Sequence, residues 1–172
     1  MKAFFSSLAV VTFAGAWIFT ELEAEESTAF LRGLEASRAF KIQASRLVNE
    51  RAQSTDVKSF ALQMISDHEQ IQEEIGAAVR AANTSMPQLK QADARQQASL
   101  LELNDLAGDE FDQAYLRTQL QTYLELVALV RSYAHKGRTD SLKDFARKEL
   151  PMFERHLRMV QELSKPGKTS GN

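Results

Sequence analysis

Apolar residues recur at helical spacing along most of the chain. Between residues 28 and 53, Leu31, Leu34, Ile42, Leu47 and Val48 stand among charged neighbours and predict a first long helix. Ser54-Thr55-Asp56 then supplies side chains suited to capping a helix N-terminus. A second helix is expected over about residues 56–82, with Phe60, Met64, Ile71, Ile75 and Val79 on one face. Residues 83–90, with Pro87, read as a loop, and a short helix over about 91–106 follows, ended by Gly108. Asp109 opens a third long helix carrying Phe111, Leu116, Leu120, Val127 and Val130, closed by Gly137. Thr139-Asp140 opens a fourth, with Leu142, Phe145, Leu150, Phe153, Leu157, Val160 and Leu163. Pro151 lies inside it, removes a backbone donor and is expected to kink it.

Helices of roughly 26 residues are about 40 Å long, and each carries a stripe that it cannot bury alone. Four of them packed antiparallel can, so the expected fold is all-α, a four-helix bundle with a short extra helix before the third long one. Composition agrees: 7 Gly and 3 Pro in 172 residues disfavour a turn-rich sheet protein. A net charge of -2 argues against a nucleic-acid partner, and the absence of cysteine excludes disulfides, thiolate metal sites and a cysteine nucleophile.

The first residues look like an export signal. Lys2 is followed by an uncharged run from Ala3 to Phe19, and then by Glu21, Glu23, Glu25 and Glu26. Cleavage could follow Ala16, which leaves Trp17-Ile18-Phe19 at the new terminus, or Ala24, which removes them; the second is favoured. The expected organisation is a signal peptide over 1–24, the bundle over 25–164 and a disordered tail over 165–172. The alternative is an uncleaved leader that tethers the protein to a membrane, although the run is marginal for spanning about 30 Å of hydrocarbon. No other stretch is apolar enough to span, and neither a protein partner nor an oligomeric state can be read from the chain.

A short internal repeat is visible. Thr55-Asp56-Val57-Lys58-Ser59-Phe60-Ala61 resembles Thr139-Asp140-Ser141-Leu142-Lys143-Asp144-Phe145-Ala146 with one insertion, and a histidine follows each copy, His68 and His156. Two helical hairpins related by a pseudo-twofold axis would explain it.

Several polar residues fall on inner faces. His68 continues the Phe60–Met64 stripe, and His156 follows Phe153 by three. Asp112, Tyr115, Gln119 and Tyr123 recur at spacings of three and four on the third long helix, and Lys41 falls seven after Leu34 on the first. Buried polar groups are costly unless paired, so these side chains are expected to meet. His135 stands beside Lys136 at a helix end, where a cation suits the helix dipole, and is assigned no chemistry. Glycine-rich phosphate loops, His-Glu-x-x-His and Gly-x-Ser-x-Gly are all missing from the sequence, and no nucleophile or complete acid–base pair is recognisable.

Blocks in a particular order carry a family resemblance. They are Val57-Lys58-Ser59-Phe60-Ala61-Leu62-Gln63-Met64-Ile65-Ser66-Asp67-His68, then Leu106-Ala107-Gly108 before Phe111-Asp112-Gln113-Ala114-Tyr115, then Lys143-Asp144-Phe145-Ala146, Leu150-Pro151 and His156-Leu157. Over residues 28–163 the chain resembles the exported, ferritin-like bacterial family designated domain of unknown function 4142. The resemblance implies a ferritin-like antiparallel four-helix bundle in the periplasm of a Gram-negative bacterium, or secreted. It implies no established activity.

Two departures bear on chemistry. Where the family usually has a glutamate in the first helix this chain has Lys41, and where it usually has an Asp-His pair in the third it has Thr122-Tyr123. A di-iron site of the ferritin type needs carboxylates from all four helices with Glu-x-x-His pairs. No such pair faces inward here, since Glu69 and Glu73 follow His68 and should point outward.

Three inner arrangements follow. A metal, copper or iron, could be held by His68 and His156 with Met64, Asp112 or Tyr115, and thioether and imidazole donors suit Cu(I); Met152 and Met159 flank His156 at similar spacing. Alternatively, methionine fills gaps in an ordinary core and each histidine is satisfied by a neighbour. In the third, Lys41 replaces the metal's charge and pairs with Asp112 or Asp67, beside Gln119 and Tyr123. The leading expectation is a non-catalytic envelope or stress-associated binding protein with a degenerate inner metal site. The alternative is a periplasmic metal-binding protein.

Overall fold

A computed structural model describes residues 13–88 and 94–165, with side chains from Glu21 onward. Among the described residues every regular element is a helix: α1 (Phe13–Arg51), α2 (Thr55–Ala81), α3 (Ala94–Asp105), α4 (Gly108–Lys136) and α5 (Asp140–Leu163). The four long helices and the short one stand where the apolar stripes place them, with one change. α1 does not begin near residue 28 but runs unbroken from Phe13, so the backbone of residues 13–24, assigned to the leader, continues the helix that enters the core. The rest of the leader, the start of the expected short helix at 91–93 and the tail from 166 lie outside the described residues.

Side-chain pairs fix the directions of the long helices. Ser45–Tyr115, Lys41–Tyr123 and Phe30–Tyr133 make α1 antiparallel to α4, since the number falls on one helix as it rises on the other. Asp67–His156, Glu74–Lys148 and Ala78–Ser141 make α2 antiparallel to α5 in the same way. α2 and α4 instead run parallel, because Ser54–Asp112, Phe60–Tyr115 and His68–Tyr123 rise together. α1 packs on α2 and α4, and α5 packs on α2 and α4, so the four close into a ring. The chain between α2 and α4 must therefore travel back along the helical bundle. α3 rides on this crossover and lies against α1 and α4, fastened by Arg95–Glu125 and Arg117–Glu102.

Local chemistry explains the boundaries. The Ser54 hydroxyl accepts from the Val57 amide and caps α2. Gly108 opens α4 at φ +62°, a left-handed conformation that favours glycine. α5 continues as helix through Pro151, which is exposed. Gly33 lets α1 approach α4 closely, since a Cβ there would stand 2.8 Å from Leu129 Cδ2.

The interior is built from the predicted stripes. Leu31, Leu34, Phe60, Met64, Ile75, Phe111, Val130, Leu142, Phe153 and Val160 are all buried in one cluster. Fully burying such a side chain contributes about 1.5–3 kcal/mol before entropy is subtracted. No described helix is long and apolar enough to cross a membrane.

Candidate functional site

The middle of this apolar interior is polar. Tyr123 on α4 is fully buried, and its phenol oxygen meets groups from two other helices. Tyr123 Oη lies 2.7 Å from Met64 Sδ and 2.9 Å from His68 Nε2, both on α2, and 3.2 Å from His156 Nδ1 on α5. The two imidazole centroids are 6.1 Å apart. From α1, the Lys41 Nζ stands 4.1 Å from the centroid of the Tyr123 ring and donates to Ser37 Oγ at 3.2 Å. All four long helices thus contribute to one cluster.

The network assigns its protons. Asp67 Oδ2 lies 2.7 Å from His156 Nε2, and a carboxylate only accepts, so Nε2 carries the hydrogen. In a neutral ring, His156 Nδ1 is then a bare lone pair facing the phenol. His68 Nε2 donates to the phenol oxygen, which leaves its Nδ1 bare, and that atom has no partner. The phenol has one proton for two acceptors, His156 Nδ1 and Met64 Sδ.

Burial keeps the cluster short of charge. It pulls the His68 imidazole well below its ordinary range, with Lys41, His156 and Arg38 pushing the same way. It also lowers His156, against the raising effect of Asp67. The Tyr123 phenol is pushed well upward by burial, then by Tyr115 and Asp67. The Lys41 amine is held well below its ordinary value, mainly by burial and in spite of Glu125. The ring face under Lys41 favours the ammonium by about 0.5–2 kcal/mol, less than the several kcal/mol that burying an ion costs.

The polar stripe of α4 divides between separate places. Asp112 stands eleven residues before Tyr123, roughly 16 Å along the axis. Its Oδ2 accepts from the backbone amides of Ser54 at 2.7 Å and Gln53 at 3.2 Å, fastening the α1–α2 turn to α4. Tyr115 hydrogen-bonds Ser45 Oγ at 2.8 Å and packs between Phe111 and Phe60. Gln119, one turn from each tyrosine, is buried with both amide atoms unpartnered. Of the candidate metal ligands, then, His68, His156 and Met64 come together, whereas Asp112 and Tyr115 do not join them. Met152 and Met159 pack against the core from its edge, and His135 is exposed.

Lys41 makes no ion pair with Asp67 or Asp112, since the first is spent on His156 and the second on backbone amides. Replacing it therefore breaks no buried ion pair. Lys41→Met keeps the apolar stem and removes a buried amine. Its thermal midpoint should match or exceed that of the wild type. A loss of about 3 kcal/mol, the cost of breaking a buried pair, would instead reveal a carboxylate partner.

Ser37 and Ser45 were not singled out from the sequence. Their signal was present, because Ser37, Lys41 and Ser45 recur every four residues and mark a polar line down the inner face of α1.

A di-iron group does not fit these residues. One carboxylate, Asp67, touches the cluster, and it is held by His156. Among the described residues no three His, Asp or Glu side chains are grouped to hold a metal ion.

The model of one family, Domain of unknown function (DUF4142), matches residues 20–163. The chain belongs to this family. No curated protein and no solved structure matches it. The DUF4142 match begins inside α1 and ends at the last residue of α5, so it includes α1 from residue 20 onward, the other long helices and every residue of the inner cluster.

Proposed function

We propose that this DUF4142 chain is a ferritin-like four-helix bundle of the cell envelope whose inner site is closed by its own side chains and performs no catalysis. Support for the ferritin-like assignment comes from the parallel α2 and α4 and the single long crossover between them. In this reading residues 1–24 are an export signal, 25–164 the bundle and 165–172 a tail, with the mature protein in the periplasm or outside the cell. The observation that carries the reading is the position of Tyr123 Oη, within hydrogen-bonding reach of Met64, His68 and His156 together. A phenol at that point, with an amine above its ring, stands where a ligand-binding bundle would keep open space. In this reading the chain is a non-catalytic envelope or stress-associated binding protein with a degenerate inner metal site. Metal analysis of protein isolated from the periplasmic fraction tests this, and much less than one metal ion per chain is expected. A second reading, a periplasmic metal-binding protein, is favoured by the convergence of two imidazoles and a thioether, and near-stoichiometric copper or iron in the isolated protein would establish it.

A further inference from the structure

We infer that Met64, His68 and His156 form a preorganised cuprous-ion site, and that Tyr123 is the plug that keeps it shut. This deepens the closed-site reading and rests on it.

The geometry carries the inference. Three neutral donors, one thioether sulfur and two imidazole nitrogens, approach a single point from two helices, at 2.7, 2.9 and 3.2 Å from the phenol oxygen that occupies it. Two nitrogens and one sulfur around one point suit a soft monovalent ion, and the absence of a carboxylate among them disfavours harder divalent cations. His156 is already oriented for the task. Its Nε2 donates to Asp67 at 2.7 Å, which turns the Nδ1 lone pair inward, the carboxylate–histidine arrangement that commonly orients metal ligands. Asp67 also supplies the one negative charge that would balance Cu(I). His68 reaches the same point with Nε2, the nitrogen that carries the proton given to the phenol; to ligate there the ring takes its other neutral tautomer, with the proton on Nδ1, which is buried and unpartnered. The Lys41 amine stands 4.1 Å from the centroid of the Tyr123 ring and donates to Ser37, and its charge, with those of Arg38 and Arg155, acts on the two histidines from outside the three donors.

Phenol and metal ion exclude each other, since both need the same few ångströms. For copper to enter the wild type, the Tyr123 hydroxyl must abandon its bonds to two buried histidines. Breaking two buried hydrogen bonds corresponds to roughly 100-fold in affinity.

The test is an anaerobic titration with Cu(I) supplied from a chromogenic chelator. It compares the wild-type chain, Tyr123→Phe, Tyr123→Ala and Tyr123→His. The alanine variant opens the point, the histidine variant opens it while keeping a polar side chain in the core, and the phenylalanine variant removes the hydroxyl that occupies the point while keeping the ring beside it. One Cu(I) per chain is expected in the alanine and histidine variants, at least about 100-fold tighter than in wild type, and Tyr123→Phe, which has no hydroxyl bonds to break, should also bind more tightly than wild type. X-ray absorption of the loaded alanine variant should show one sulfur and two nitrogen neighbours, and Met64→Leu in that background should remove the sulfur. Folded open variants that take up no copper would overturn the inference, as would a wild-type chain that binds as tightly as they do. Should both open variants prove unfolded, copper is expected to restore their helicity, because a ligand specific to the folded state stabilises it; no restoration would equally overturn it. Failure here is distinct from failure of the closed-site reading, which falls only if the native protein is isolated with metal already bound.

Discussion

Tyr123→Phe is expected to lower the free energy of unfolding by about 2–4 kcal/mol, although it deletes a single oxygen. The ring, its volume and its face toward Lys41 remain, so the packing around residue 123 is preserved. What disappears is the one group that satisfies His68 Nε2 and His156 Nδ1 at once. Both imidazoles are buried. An orphaned buried polar atom costs about 1–3 kcal/mol, far more than the net worth of an exposed hydrogen bond. Denaturant unfolding followed by helical circular dichroism measures the loss directly. A loss below about 0.5 kcal/mol would mean that the two histidines find other partners, and the phenol would then not be the centre of the site.

Asp112→Ala should cost about 2–3 kcal/mol and lower the thermal midpoint by about 5–10 °C. This carboxylate accepts from two consecutive backbone amides, Gln53 and Ser54, at the turn between α1 and α2. Ser54 is also the cap of α2, so the same contact positions the residue that starts the helix. Removal leaves the buried Ser54 amide without an acceptor and frees the turn from α4. Asp112→Asn separates this role from one based on charge. Its amide oxygen can still accept from both donors, but its NH2 group takes the place of the buried, unpartnered Oδ1, so the asparagine variant should lose about 1 kcal/mol, less than the alanine variant. Equal losses in the two variants would show that accepting from the two backbone amides is not what the carboxylate contributes.

These two residues also show why the candidate site was only partly readable from the sequence. Asp112, Tyr115, Gln119 and Tyr123 share one stripe at helical spacing, and periodicity reports which face a side chain occupies. It does not report height. Eleven steps from Asp112 to Tyr123 cover roughly 16 Å, more than twice the span of a cluster built on one oxygen. Which of the four meets the histidines depends on how far α4 is shifted along its parallel neighbour α2. That shift is decided by side-chain packing between elements distant in the chain, Phe60 on Tyr115 and Met64 on Tyr123. The histidines were easier, because the repeated Thr-Asp segment opens both α2 and α5 and puts His68 and His156 at related positions beyond it. The long helices were clear because each has an apolar stripe at helical spacing, and Ser54 and Gly137 mark two of their ends. The beginning of α1 was not, since an uncharged run of seventeen residues has the composition of a leader whether or not it is also helical. Lys41 was correctly placed inside yet given the wrong partner. A buried amine suggests a carboxylate, but here a serine and an aromatic face receive it.

The claim on which the rest depends is that one phenol joins two neutral, buried imidazoles. Proton and nitrogen-15 NMR of the histidine rings across pH 5–8 addresses it most directly. The rings of residues 68 and 156 should stay neutral below the ordinary histidine value of 6.5, with residue 156 protonated on Nε2, and a slowly exchanging phenol proton should correlate with the ring of residue 156. Rings that titrate near 6.5 in both positions, with no protected phenol proton, would contradict it.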